Sequence, residues 1–193
     1  TGHGVPGAFM SLLGHNILEN IIQRHDCTNP GSILTALNKE IVARFSKGTN
    51  LENVKHAMDI AIISIDKTNR KLQYAGAGNS IYIVRDNKLT EIKADKHSTG
   101  IVVNGNNDVV YANNHWDLLK NDMIYLFSDG FPDQKGGTDK KKFFYSPFKE
   151  LLAKLSTLAV KEQQEQLKEV ITRWQGDGEQ IDDMLVMGIR ICT

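Results

Sequence analysis

Residues 58–65 read Met-Asp-Ile-Ala-Ile-Ile-Ser-Ile. The run is apolar almost throughout, as a strand covered on both faces would be. Upstream of it the apolar residues recur with a helical period. Downstream they come in short runs parted by turn residues. This change of period at residue 58 separates a helical opening from a mainly β centre.

The opening stretch predicts two helices. Pro6 suits the first turn of a helix, where no backbone donor is needed. Phe9, Leu13, Ile17 and Ile21 repeat every four residues and predict one apolar face, fading at His25-Asp26-Cys27. Asn29-Pro30 reads as an N-cap followed by proline in the first turn of a second helix. Leu34, Leu37, Ile41 and Phe45 give its buried stripe, and Lys47-Gly48-Thr49-Asn50 closes it.

Beyond residues 58–65, Lys67-Thr68-Asn69-Arg70 is a turn. Residues 71–75 and 80–85 read as strands parted by Gly76-Ala77-Gly78-Asn79. Asp86-Asn87 marks a tight hairpin leading to a short strand at 89–92. Residues 109–112 and 123–127 are further strand candidates. Gly136-Gly137 with Lys140-Lys141-Lys142 reads as an exposed loop. Phe148, Leu151, Leu152 and Leu155 predict a third helix, and Leu167, Val170, Ile171 and Trp174 a fourth. Gly176-Asp177-Gly178 breaks it, and a last strand spans 184–191. Two helices, a run of mostly antiparallel strands, two helices and a strand make an α+β domain rather than a βαβ series.

The chain has 193 residues, enough for one domain with a substantial core. Lys plus Arg and Asp plus Glu each number 23, for a formal net charge of zero. That balance argues against nucleic acid or an anionic membrane as the main partner. No apolar stretch is long enough to span a bilayer, and no secretory signal is visible. Cys27 and Cys192 form no CxxC motif and read as reduced thiols. No zinc pattern occurs among the six histidines.

Three places carry residues suited to chemistry. Asp129, in Ser128-Asp129-Gly130, follows the buried-type strand 123–127. It either caps the following turn or offers a ligand to a cation. Asp182 and Asp183 stand at the start of the last strand. Adjacent aspartates repel unless one is solvated or a cation neutralises them, so they read as a turn or as a metal ligand. Aspartates at strand ends suit Mg²⁺ or Mn²⁺, which prefer carboxylates, carbonyls and water. The third place is the opening, Thr1-Gly2-His3-Gly4. It reads as a flexible loop or as a helix N-terminus binding an anion. It is no Walker A loop, since no Lys-Ser or Lys-Thr follows the glycines. His3 could hold a water or donate a proton. Asp59, inside the apolar run, needs a partner: a metal, an arginine or a backbone donor.

The stretches TGHGVPGAFMS (1–11), YAGAGNSIYIV (74–84), MIYLFSDGF (123–131) and QIDDMLVMGI (180–189) occur in this order. Together they resemble the bacterial metal-dependent protein serine/threonine phosphatases of the sporulation protein E type, within the wider type 2C phosphatase superfamily. The resemblance covers nearly the whole chain. It implies a layered α/β/β/α sandwich of two antiparallel sheets flanked by helices, formed by residues 1–193 as a single domain. It also implies two Mn²⁺ or Mg²⁺ ions and a metal-activated water that attacks phosphoserine or phosphothreonine directly. Asp129 and Asp182 map onto the family's shared metal ligands, and Asp183 stands behind Asp182 or in its place. Gly2, Gly4 and Gly130 form the active-site loops, and His3 falls beside them.

The family's first motif, Asp-x-x-Gly-x-Gly, would place its bridging aspartate two residues before Thr1. The resemblance therefore implies a domain lacking its first strands, with much weakened metal binding and hydrolysis close to absent. It also implies an uncovered sheet edge that favours a homodimer. As partners it implies a phosphorylated protein of the anti-sigma-factor-antagonist kind and an upstream sensor domain, in the cytoplasm. The alternative is a non-catalytic module of the same fold that binds a phosphoprotein or a regulator.

Overall fold

The computed structural model describes residues 4–25, 29–45, 57–102 and 109–192. In chain order its elements are α1 (Gly4–His25), α2 (Pro30–Phe45), β1 (Ile60–Asp66), β2 (Lys71–Ala77), β3 (Ile81–Arg85), β4 (Lys88–Ile92), β5 (Asn114–Asp117) and β6 (Met123–Phe127). They continue with α3 (Gly130–Asp133), β7 (Lys135–Gly136), β8 (Lys141–Lys142), α4 (Tyr145–Leu155), α5 (Val160–Gln175) and β9 (Val186–Arg190). The fold is α+β with antiparallel sheets, as the sequence predicts. Contacts divide the chain into two compact units, Thr1–Ser80 with Lys93–Leu118 and Ile81–Ile92 with Leu119–Thr193.

The first unit holds α1, α2 and a three-stranded sheet ordered β1-β2-β5. Asn29 caps α2 as expected, its side-chain oxygen accepting from the Ser32 N–H at 2.9 Å. Helix α2 packs on β1 and β2, and α1 packs on α2. Their core joins Met10, Ile17, Ile21, Leu34, Leu37 and Ile41 to Ala75, Ala77 and Tyr111.

Four readings of this unit change. Phe9 is 57% exposed, whereas Met10 is buried at 2%. A strict four-residue step drifts about 40° around a helix each time, so Phe9 leaves the face that Ile17 and Ile21 hold. Residues 60–65 are half-buried rather than covered on both faces, because β1 is an edge strand. Asp59 precedes that strand and is exposed, and its partner is the Ser98 hydroxyl, which donates to it. Finally, residues 109–112 form no strand; the polar Asn114–Asp117 does, pairing with Lys71–Tyr74 through its backbone. Tyr111 still enters the core, its phenol donating to the Ser98 carbonyl at 2.9 Å.

In the second unit the sheet runs β4-β3-β6-β9. Asp86 and Asn87 both adopt positive φ, as a two-residue hairpin between β3 and β4 requires. One face of the sheet carries Tyr82, Val84, Met123, Tyr125 and Phe127, packed with Phe131, Phe148, Leu152, Leu155, Leu167 and Ile171. Residues 136–142, read as a loop, instead take part in the small β7–β8 ladder, Lys135 pairing with Lys142 and Gly136 with Lys141. Among the described residues no helix is long and apolar enough to cross a membrane.

At the start of β6, Asp122 is fully buried and takes both oxygens into a bidentate pair with Arg85, at 2.8 and 2.7 Å. The same carboxylate accepts the Leu119 N–H at 2.9 Å. Removing one partner of a buried pair strands the other, but Arg85 is one-third exposed and keeps some water. Asp122→Ala is therefore expected to cost about 2–3 kcal/mol, below the full buried-pair range, and urea unfolding checks it.

Three tyrosines give the fold an alkaline limit. Burial pushes the Tyr82, Tyr111 and Tyr125 phenols well above their ordinary range. Glu91 and Tyr145 add to the effect at Tyr82, and Asp95 and Asp59 at Tyr111. Unfolded tyrosine loses its proton near pH 10, while these phenols keep theirs when folded. Above that pH the folded state binds more protons, so stability is complete below about pH 10 and falls as pH rises. Urea midpoints measured from pH 8 to 11 should show this decline, and Tyr125→Phe should flatten it.

Candidate active site

Strand β6 ends where strand β9 begins, and that junction assembles the site. The two strands pair antiparallel from Met123↔Arg190 to Phe127↔Val186. The chain leaving β6 as Ser128-Asp129-Gly130 therefore lies beside the chain entering β9 as Asp182-Asp183-Met184-Leu185. The Ser128 N–H donates to the Leu185 carbonyl at 3.0 Å. Its hydroxyl donates to the Asp183 carbonyl at 2.7 Å and accepts from the Leu185 N–H at 2.8 Å. One small side chain thus fastens the two acidic turns together.

Gly130 is required at this contact. A Cβ there would collide with the Asp183 carbonyl and approach the Asp182 carbonyl at 3.3 Å. No rotamer could relieve the clash, because the obstacle is backbone. The following Phe131 is pinned by Phe143 and Phe148, with ring centroids at 5.4 and 4.7 Å. That aromatic grip anchors α3 and with it the position of Asp129.

Asp129 stands at the N-terminal boundary of α3, but its side chain makes no capping hydrogen bond. The turn is closed instead by its backbone carbonyl, which accepts from the Asp133 N–H at 2.9 Å. Asp129 and Asp183 are exposed, and Asp182 is half-buried. Asp182 Oδ1 accepts from the Asp183 N–H at 2.8 Å, which fixes the carboxylate against its own turn. The Gln180 side-chain amide donates to the Asp182 carbonyl at 2.9 Å.

The fold thus brings together the turns of Asp129 and of Asp182 and Asp183, along with Gly130. Gly4 is the first residue of α1, with a φ of 73°. Gly2 and His3 lie outside the described residues. Asp59 belongs to the other compact unit. The role of Ser128 was not legible in advance; the only signal was a hydroxyl residue between a buried strand and an Asp-Gly turn.

Carboxylates and carbonyls are the donors that a hard divalent cation takes. The two turns offer both, so the donor set suits Mg²⁺ or Mn²⁺ in kind. Among the described residues, no group of three or more His, Cys, Asp or Glu side chains converges to hold an ion.

Comparison with known proteins places the fold. The SiaA-PP2C domain of Pseudomonas aeruginosa is 27% identical and superposes with a TM-score of 0.86, over 99% of this chain and 72% of that one. The PP2C phosphatase domain and regulatory fragment of SpoIIE from Bacillus subtilis is 20% identical, with a TM-score of 0.72. There the alignment covers 99% of this chain and 52% of that one. The serine/threonine phosphatase PstP/Ppp of Mycobacterium tuberculosis is 19% identical, with a TM-score of 0.63 over 100% of this chain and 86% of that one. No curated protein sequence matches. The chain has the PP2C-type phosphatase fold. With a family match that runs over residues 1–191, it belongs to the stage II sporulation protein E (SpoIIE) family.

Proposed function

We propose that this chain is a protein serine/threonine phosphatase domain that hydrolyses phosphoserine or phosphothreonine with the help of Mn²⁺ or Mg²⁺. The observation that carries the reading is the junction of two acidic turns, locked by Ser128 at the paired ends of β6 and β9. Asp129 and Asp182 are the proposed ligands, with Asp183 behind Asp182. Bound there, a divalent cation supplies Lewis acidity and an activated water. The chain's own contribution is to hold carboxylates at fixed positions and to keep side chains off the junction, as Gly130 does. On its sequence context alone, His3 is proposed as a proton donor.

The proposed substrate is a phosphorylated regulatory protein of the anti-sigma-factor-antagonist kind, in the cytoplasm, with a sensor domain controlling the output. Strand β9 ends the four-stranded sheet order, and Met187 on it is 49% exposed. An end strand offers its outer backbone groups to a second chain, and this supports the proposed homodimer. The alternative is a module of the same fold that binds a phosphoprotein or a regulator without chemistry.

Phosphate release from an aryl phosphate ester and from phosphoserine peptides, measured on the protein as encoded with and without Mn²⁺, separates the two readings. Turnover should require the metal. Asp129→Asn and Asp182→Asn should each lower it by more than the roughly 10–100-fold typical of residues outside the ligand shell, with thermal unfolding unchanged. The double substitution should cost little more than either alone, since both disable one ion. Asp183→Asn should be milder. Metal uptake without turnover on any of these substrates would favour the binding module.

Ser128→Ala makes a separate forecast. It keeps the Ser128 N–H bond to Leu185 and removes both hydroxyl bonds, leaving the Asp183 carbonyl and Leu185 N–H to water. Loss of about 1–2 kcal/mol of stability is expected. The Mn²⁺ concentration needed for half-maximal activity should rise, which titration at fixed substrate would show.

A further inference from the structure

Helix α5 ends at Gln175 and strand β9 starts at Val186; the ten residues between form neither helix nor strand. Asp182 sits in this irregular segment. Ser128 fastens its downstream end. Its upstream half is fastened by Gln134. Gln134 is 1% exposed and directly follows α3. Its side-chain Nε2 donates to the Glu179 carbonyl and to the Lys135 carbonyl, both at 2.9 Å. Its Oε1 accepts from the Ile181 N–H at 3.4 Å.

Gln134 is itself held from the other side. Its backbone carbonyl accepts from the Phe143 N–H at 2.9 Å and from Trp174 Nε1 at 3.0 Å. The Phe143 and Trp174 rings meet edge to face at 5.5 Å. A buried primary amide with every polar atom engaged is a rigid bracket. Ser128 and Gln134 flank Asp129 in sequence, and both grip the segment that carries Asp182. The two acidic turns are thereby held together by hydrogen bonds from a single short stretch of chain.

We propose that Gln134 is a positioning residue for Asp182: its buried amide fixes residues 179–181 and so sets the metal affinity of the Asp129–Asp182 pair. The inference rests on the metal-site reading above. Gln134 touches neither substrate nor metal; it acts through Asp182.

The test compares Gln134→Met, which keeps length and volume and removes the side-chain hydrogen bonds, with the unsubstituted protein. Mn²⁺ binding is followed by the electron paramagnetic resonance of free Mn²⁺, well below the unfolding temperature. Affinity should fall about tenfold, at the lower end of what loss of an outer-shell partner costs. In an Asp182→Asn background the same substitution should cause no further loss, because Gln134 works only through that ligand. Unchanged Mn²⁺ affinity with a lowered melting temperature would reduce Gln134 to a structural residue and overturn the proposal. An equal further loss in the Asp182→Asn background would overturn it too.

If the unsubstituted protein takes up no Mn²⁺, the metal reading itself fails, and amide hydrogen exchange decides the positioning role. Faster exchange at Asp183 and Leu185, with α4 and α5 unchanged, sustains it; uniform acceleration across the unit overturns it. Should Gln134→Met not fold, Gln134→Glu carries the same comparison. It preserves the shape and the acceptor and loses the donor to both Glu179 and Lys135.

Discussion

The pairing of Phe127 with Val186 is the contact on which the candidate site depends. Without it the two acidic turns have no reason to meet, since helices α4 and α5 intervene in sequence. Closing so long a segment has an entropic cost, but one that grows only slowly with length. The offset comes from the face of the sheet that α4 and α5 cover. Phe127, Phe131 and Phe148 form a contiguous ring cluster there, with Tyr82 on Phe127 at 4.5 Å. Aromatic pairs in such arrangements add to the stabilisation from buried area alone.

Register follows from the same cluster. A slip of one residue between β6 and β9 would turn every side chain of one strand to the opposite face. Tyr125 could not accept such a slip. Its hydroxyl donates to Gln163 Oε1 at 2.7 Å inside the core, and Gln163 is 3% exposed. Gln163 in turn donates to the Leu158 carbonyl at 2.9 Å, at the turn before α5. This polar link specifies one alignment of strand and helix where apolar contacts alone would tolerate several. The β6–β9 register is what puts the Ser128 hydroxyl between the Asp183 carbonyl and the Leu185 N–H.

Local pattern was legible where an apolar stripe or run lies within one element. Leu34, Leu37 and Ile41 lie along α2 as their spacing implies, and Met123–Phe127 is a strand. The readings that changed involve partners remote in sequence. Asn114–Asp117 carries no apolar alternation, because an edge strand can be recruited by backbone pairing alone. Asp59 looks costly in an apolar run until β1 is seen to start at Ile60. In the site, the acidic turns were visible as Asp-Gly and Asp-Asp next to apolar strands. Ser128 and Gln134 were not, because a serine or glutamine acquires such a role only from carbonyls some fifty residues away, and spacing does not encode that.

Within the proposed function, the two aspartates reach the junction by physically different means. Asp129 sits between a core strand and a helix whose Phe131 is locked among aromatic rings, so packing sets its place. Asp182 sits in a segment without secondary structure, so hydrogen bonds set its place. Packing resists displacement over a whole cluster, whereas each hydrogen bond contributes only about 1 kcal/mol net. The Asp182 side is therefore the softer half of the pair. Asp129 and Asp183 are exposed, so water screens the repulsion among these carboxylates and the fold can form before any cation binds. A site of this kind differs from a structural zinc site, where metal binding and folding are one event. Its affinity is set by how firmly a few hydrogen bonds hold the softer carboxylate, which makes that segment the natural place for affinity to be tuned without disturbing the core.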